Sequence, residues 1–425
     1  MARILTEDTV WETGQTIVLS DDNQIAPGVT LTIEPGVTIE GNGYSISAFG
    51  TLTALGSQDA KITFDDVIIA FGTDYRTPGR IDIDQATISG GVFLPFRTGN
   101  YGSFSLTNSL ISGADTTYVW YPKADSLFEG NVFINSGGLS IGSTSEGSVS
   151  IRDNAFINAE RAVMGTATIV AWTTYGDPVD VSGNTFLSDI PALEVEYSLS
   201  QISGSDNYFG TIDPAEIDAL ILDKRDDLSR PSIIGFEPAA IAPNDAVISA
   251  MINAGITTPL SLTGTAGDDR LLGASGNDVL RGDEGADTLE GNDGDDALFG
   301  EDGDDRLTGG AGDDTIHGGA GSDTAVIDGN YLGEDGDFNV SVVLSDGAFL
   351  LRSQAGNDLI SDDVEFIAFN DRTVSASDLL ADVGPPVIAG SDVNISGSDA
   401  TEFIIGTSVN NWITPGGGSD TIDGG

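Results

Sequence analysis

Apolar and polar residues alternate over short runs from early in the chain. "IAPGVTLTIEPGVTIEGNG", Ile25 to Gly43, is half-buried strand pattern broken by Pro-Gly turns. Further on, the alternation carries a recurring Asn: "SLTNSLISG" (Asn108), "FEGNVFINS" (Asn131), "IRDNAFINA" (Asn154), "VSGNTFLSD" (Asn184) and "GSDNYFGTI" (Asn207). The intervals are 23, 23, 30 and 23, and an apolar residue follows each Asn at +2: Leu110, Phe133, Phe156, Phe186 and Phe209. A fixed period of this length with short strands predicts a solenoid, in which stacked coils align these side chains into one core. The Asn side chains are expected to stack at a corner and bind turn backbone. The 30-residue interval implies a seven-residue insertion, expected within "TATIVAWTTYGDP".

After "DNYFGTIDPAEIDALILDKRDD" the strand pattern stops. There Asp213 is a candidate helix N-cap, Pro214 suits the first turn, and Glu216 stands where a capping box needs it. Residues 238–263 read as a linker with one short helix around Ala246 to Ala254.

From Gly264 the period becomes nine: GTAGDDRLL, GASGNDVLR, GDEGADTLE, GNDGDDALF, GEDGDDRLT, GGAGDDTIH, GGAGSDTAV. Positions 1 and 4 are Gly in all seven. Position 6 is always Asp, namely Asp269, Asp278, Asp287, Asp296, Asp305, Asp314 and Asp323, and position 8 is Leu or Ile in all but the last, which has Ala325. The spacing predicts six residues of Gly-rich turn, then three of short strand that turns position 8 inward. Two repeats make a coil, so loops stack every second repeat, about 4.8 Å apart. Stacking then gathers carboxylates and carbonyls into rings of hard oxygens, the ligand set of Ca²⁺. Seven repeats in two stacks leave five between-loop sites, hence about five Ca²⁺ in 264–326.

Charge gives this pattern its weight. The whole chain carries a formal net charge of −51, and residues 264–326 hold seventeen Asp and Glu against three Arg. Two like charges about 4 Å apart repel by roughly 4 kcal/mol at an effective dielectric of 20, so without a cation the block is expected to be unfolded. The same acidity repels phosphate backbones and anionic lipid, which excludes nucleic acid as a partner class. No run approaches eighteen apolar residues, so no membrane insertion is expected. Cysteine is absent, and "MARILTEDTVWETGQ" lacks the apolar core of a secretory signal peptide.

The nonapeptide pattern resembles the RTX (hemolysin-type) calcium-binding repeat. The resemblance implies an all-β protein: a right-handed parallel β-helix over 1–237, a linker at 238–263, a calcium-binding parallel β-roll over 264–326 and a β-strand flanking segment over 327–382. A second, degenerate repeat block follows over 383–425. "DLISDDVEFIAFNDRTVSASDLL" is similar to the flanking segment, with Val364, Glu365, Phe369 and Val374 at matching points. In the degenerate block the sixth positions are Glu402, Asn411 and Asp420, of which Asp420 is the expected ligand. The chain stops at Gly424-Gly425, where another repeat would begin, and the natural protein is expected to continue. RTX relatives are secreted by a type I route without a cleaved N-terminal signal, so an extracellular location is expected. A lesser calcium candidate is "DGDFNV", with Asp335, Asp337 and Asn339, although Val340 stands where such a loop needs Gly.

A β-helix followed by RTX repeats is also similar to secreted alginate epimerases and some polysaccharide lyases. The residues do not follow that likeness. The single His, His317, lies in a nonapeptide, and only Lys61, Lys123 and Lys224 with a few Arg could serve as bases. "RIDID" sets Arg80, Asp82 and Asp84 on one strand face, where a solvated surface competes with acid–base chemistry. "TTYVWYP" offers Tyr118 and Trp120 on one face and Tyr121 on the other, suited to sugar stacking or to packing. Motifs of zinc proteases, serine hydrolases and P-loop enzymes are absent. The expectation is a secreted calcium-binding protein, with the β-helix a non-catalytic module for an extracellular polysaccharide or a cell surface. The alternative is a polysaccharide-modifying enzyme.

Overall fold

The computed structural model describes residues 2–72, 78–94, 102–120, 122, 125–142, 147–161, 167–171, 179–195, 202–222, 239–328, 339–342, 348–352 and 355–383. It also describes five short strands at 387–388, 394–396, 403–405, 412–414 and 421–423. The chain forms two compact units, Met1–Gly255 and Ile256–Gly425.

The first unit is a parallel β-helix with three strands per coil. Strands Arg3–Leu5, Thr9–Trp11 and Thr16–Val18 make the first coil, and each pairs in parallel with the strand three further on. The pairing continues into sheets of nine and eight strands. A third row breaks, with five strands ending at Val92–Phe93 and five more beginning at Thr117–Trp120. Registry puts like on like. Ile33, Ala54, Ile83, Leu106, Phe128, Ile151 and Val181 form one inward column, all at most 1% exposed. Burial of a continuous apolar column is what single coils lack, and it makes stacking favourable.

The expected aromatic column is present and parallel. Phe133–Phe156, Phe156–Phe186 and Phe186–Phe209 stack with centroids 4.8, 5.1 and 5.5 Å apart and planes within 10°. Isolated rings prefer offset or edge contacts; here in-register strands about 4.8 Å apart impose the stack. The row begins differently from the sequence expectation. Ile111, not Leu110, pairs with Phe133 and is 2% exposed.

That one-residue offset also moves the polar ladder. Asn131, Asn154, Asn184 and Asn207 are fully buried. The side-chain oxygens of Asn154, Asn184 and Asn207 each accept the backbone N–H of the ladder residue one coil back, at 2.9–3.0 Å. The amide nitrogens of Asn131, Asn154 and Asn184 donate to the carbonyls of Leu106, Phe128 and Ile151, near the ends of their strands. Ser109 holds the next rung: its N–H donates to Asn131 and its hydroxyl accepts from Ala86 N–H. Asn108 is exposed and donates to Asp84 at 2.8 Å. The coil between Ser109 and Asn131 is 22 residues, so a strict 23-residue count selects the wrong neighbour. The insertion also lies elsewhere. Twelve positions lead from Ile157 to Ile169, where five lead from Ile134 to Leu139. Nine lead from Ile141 to Ser150 and nine from Ala171 to Asp180. The seven extra residues therefore precede Ile169.

Helix α1, Pro214–Ala219, has Asp213 as N-cap, whose carboxylate accepts Ala215 N–H at 2.7 Å. Glu216 bonds the Thr211 hydroxyl rather than closing a capping box. Helix α2, Asp245–Asn253, occupies part of the expected linker and packs on the β-helix through Val247, Ile248 and Met251. Its cap Asn244 donates to Asp153 at 2.8 Å and to the Gly183 carbonyl at 3.0 Å, and Lys61 donates to the Asn253 carbonyl at 2.6 Å. A cation at a helix C-terminus meets the negative end of its dipole. From the same expected linker, Ser261–Thr263 is the first strand of the second unit. Neither helix nor any other among the described residues is long and apolar enough to cross a membrane.

The second unit begins as a parallel β-roll of two facing sheets. Strands pair with the strand two further on, 18 residues away, as in Leu280↔Leu298↔Ile316 and Leu289↔Leu307↔Ala325. All seven position-8 residues are fully buried. Paired strand runs six residues rather than the expected three. Ala297–Asp302 covers positions 7–9 and the next repeat's positions 1–3. The continuation requires a kink at position 2, where Asp283, Asn292 and Glu301 take φ of 79°, 73° and 75°. Later in the chain the helix α3, Ala376–Val383, follows the strand Thr373–Ser375. In the last block, Asn394↔Trp412 and Phe403↔Thr421 repeat the 18-residue register.

Candidate metal centre

Local sequence sets each roll loop. From the third repeat on, position 4 needs Gly because φ is strongly positive and a side chain would strike the loop beneath: Gly303 has φ of 146° and faces the Gly285 carbonyl. Position 1 has no such φ. There Gly is needed for space, since a Cβ on Gly300 would fall on the Asp305 carboxylate and the Gly318 carbonyl. The same pair recurs at Gly282, with Asp287 and the Gly300 carbonyl, and at Gly291, with Asp296 and the Gly309 carbonyl. Beside these position-1 Gly residues, then, a carboxylate oxygen of one loop meets a carbonyl oxygen of the next loop in its stack; at Gly309 only the Asp314 carboxylate is that close.

The position-6 Asp side chains reach these spaces from buried positions. Asp278, Asp287, Asp296, Asp305, Asp314 and Asp323 are at most 2% exposed. One oxygen of each from Asp287 to Asp323 accepts the N–H of the Asp 18 residues earlier, at 2.7–2.9 Å. The other oxygen, Oδ2 of Asp287, Asp296, Asp305, Asp314 and Asp323, is buried without a hydrogen-bond partner. An orphaned buried acceptor costs about 1–3 kcal/mol, and more when charged. Burial accordingly pushes these carboxyls up, to about 7 for Asp296 and about 6 for Asp314 and Asp323, against the pull of the N–H bonds they accept. Neighbouring carboxylates push in the same direction.

The donor set suits Ca²⁺, which takes six to eight oxygens from carboxylates and carbonyls in flexible geometry. No three His, Cys, Asp or Glu side chains among the described residues are placed to hold an ion, so carbonyls must supply the balance.

The first coil differs. Asp278 Oδ1 accepts Leu260 N–H and its Oδ2 accepts Ala274 N–H, and Oδ2 of the half-buried Asp269 accepts from the Thr265 amide and hydroxyl. Thr265 and Ala274 lack the positive φ found at position 2 of later repeats, so their amides can turn to the Asp.

Position 5 holds a second ladder, absent from the sequence expectation. Asp295 Oδ1 accepts Asp313 N–H and Asp304 Oδ1 accepts Ser322 N–H, each at 2.9 Å. It runs opposite in sense to the position-6 ladder, and its signal is Asp or Asn at position 5 in five of the seven repeats, with Ala286 and Ser322 the exceptions. Asp358 was also missed. It lies in "GNDLI", which repeats positions 4 to 8 of the nonapeptide. It is 5% exposed, pushed up to about 7 chiefly by burial, and accepts Asp314 N–H at 3.3 Å. Asp420, Glu402 and Asn411 lie outside the described residues, as do Asp335 and Asp337.

The enzyme candidates are structurally occupied. Arg80 pairs with Asp82 at 2.6 Å on an exposed face, and Asp84 accepts from Thr107 and Asn108. Tyr118 is 6% exposed, and Trp120 packs on Ala167 and Val170. Tyr121, Lys123 and Lys224 lie outside the described residues. His317 lies outside the roll core, stacked on Phe299 at 5.1 Å, and Phe299 lies under the Arg281 guanidinium.

The family model of the RTX calcium-binding nonapeptide repeat (4 copies) matches residues 263–298, 290–325 and 396–425. No curated protein matches the chain. The chain thus carries RTX calcium-binding repeats in a β-roll, joined to a parallel β-helix that lies outside all three matches.

Proposed function

We propose that this chain is a secreted protein whose β-roll folds on extracellular Ca²⁺, and that its β-helix is a non-catalytic module for a polysaccharide or cell surface. The observation that carries the calcium reading is the row of five buried, unpartnered Asp Oδ2 atoms, four of them beside a backbone carbonyl. On this reading Asp269, Asp278, Asp287, Asp296, Asp305, Asp314 and Asp323 are the carboxylate ligands of the first block, with about five ions, and Asp420 serves the second. The division into β-helix, roll, flanking segment and second repeat block follows the sequence boundaries given above, except that helix α2 packs on the β-helix and the roll begins at Ser261.

The thermodynamics suit export. Extracellular calcium modules bind at about 10⁻⁴–10⁻³ M, so at low intracellular calcium the roll stays unfolded and fits a type I exporter. An ion that binds only the native state stabilises it by RT ln(1 + [Ca²⁺]/Kd). The non-catalytic reading of the β-helix is supported by its spent charges: Lys61 on α2, Arg80 on Asp82 and Asp84 on its neighbours. Circular dichroism of the chain with calcium and with EGTA tests the folding claim, and equal order of the roll in both would refute it. Release of unsaturated or reducing ends from uronate or neutral polysaccharides would instead establish an enzyme.

A further inference from the structure

The roll does not end with the seventh repeat. Beyond Asp328 the chain returns to it: Asn357–Ile360 pairs in parallel with Thr315–Ala320, placing Ile360 on Ile316, and Phe366–Ala368 pairs with Thr324–Val326, placing Ile367 on Ala325. Ile360 and Ile367 are fully buried and extend the position-8 columns. Gly356 faces the Gly312 carbonyl as Gly321 faces that of Gly303.

The oxygen pattern extends with the strands. In the interior, Asp305 Oδ2 lies beside Gly300 and the Gly318 carbonyl. At the end, a Cβ on Gly318 would stand 2.6 Å from Asp323 Oδ2 and 2.6 Å from the Asp363 carbonyl. Asp363 thus supplies the carbonyl that a position-1 Gly supplies elsewhere, and its carboxylate accepts Gly318 N–H at 3.0 Å. Glu365, though exposed, takes the role of the next position-6 Asp: its Oε2 accepts Asp323 N–H at 2.8 Å. In the facing row Asp358 does this for Asp314. Both Asp323 Oδ2 and Asp314 Oδ2 are buried and unpartnered; the first lies beside Gly318 with the Asp363 carbonyl, the second beside Gly309.

We propose that residues 356–365 complete two further calcium sites beyond the seven repeats, one between Asp314 and Asp358 and one between Asp323, the Asp363 carbonyl and Glu365. The proposal rests on the calcium reading of the interior loops, and it adds that calcium fastens the returning chain to the roll. Residues 356–365 lie outside every match to the repeat family.

The test uses the full chain and calcium alone. Glu365→Gln and Asp358→Asn keep an oxygen for the Asp323 and Asp314 amides but remove a charge. Equilibrium dialysis should count one ion fewer for each variant, or one ion bound at least about tenfold more weakly, and two fewer for the double variant. In the wild-type chain, hydrogen exchange of 357–368 should slow at the same calcium concentration as that of 315–326. Wild-type ion number and affinity in both variants would overturn the proposal. So would protection of 357–368 in EGTA while 315–326 exchanges freely. A wild-type chain that binds no calcium would instead refute the calcium reading itself.

Discussion

A single methyl group placed at Gly291 tests the geometry of the loops most directly. A Cβ there would fall on the Asp296 carboxylate and stand 2.5 Å from the Gly309 carbonyl oxygen. The carboxylate can move, but only out of the space it shares with the carbonyl. The carbonyl belongs to the strand Arg306–Ala311, which pairs with Thr288–Asp293 on one side and, over Arg306–Thr308, with Thr324–Val326 on the other. Overpacking of such a site costs about 1–3 kcal/mol. Spread over about five cooperatively bound ions, about 2 kcal/mol is 0.4 per ion, which raises the calcium midpoint of folding about twofold. Displacing Asp296 should also remove one ion from the count. Gly267→Ala is the control. It has the same residue change, but its Cβ would meet only the Thr265 hydroxyl, at 3.9 Å, and its φ is not in the left-handed region. Its midpoint should be unchanged or slightly lower, because Ala restricts the unfolded chain. Calcium titrations followed by circular dichroism compare the two. Equal midpoints for Gly291→Ala and Gly267→Ala would refute the assignment of the position-1 space to the ion.

In the β-helix, Asn154→Ala strands the buried Asn131 N–H and removes the bond to the Phe128 carbonyl, and should cost about 1–3 kcal/mol, seen as a lower thermal midpoint of the β-helix. Asn108→Ala, at an exposed site one residue off the ladder, should change stability by less than about 0.5 kcal/mol; equal losses would contradict the register. Proton competition gives a pH dependence of defined sign. Folding in the absence of calcium raises Asp296, Asp314 and Asp323 from the ordinary 3.8 to about 7, 6 and 6. The metal-free roll is therefore most favoured below pH 3.8, loses stability as pH rises toward 7, and changes little above that. Calcium must displace the protons, so its apparent affinity should fall between pH 7.5 and 5.5 with proton release on binding. Calorimetry in buffers of different ionisation enthalpy would show that release, and a pH-independent affinity would exclude it.

Local spacing alone determined much of this protein. A nine-residue period names its Gly, Asp and Leu positions without reference to anything distant, because each loop and strand is built within one repeat. The β-helix was legible for the same reason: Phe133, Phe156, Phe186 and Phe209 recur at coil length and stack as expected. Register was less legible. Asn108 fits a 23-residue count, yet the 22-residue coil puts Ser109 on the ladder, and no local signal distinguishes an exposed Asn from a buried Ser beside it. The two kinds of Gly were also alike in sequence; from the third repeat on, position 4 is set by backbone angle, and position 1 by atoms of the next loop. Tertiary structure alone brought Asp358 and Glu365 to the roll, 44 and 42 residues after the Asp residues whose amides they accept. The intervening chain breaks the period of nine. Only the apolar columns, seeking a partner for Ile316 and Ala325 at the open end of the roll, return these carboxylates to the stack.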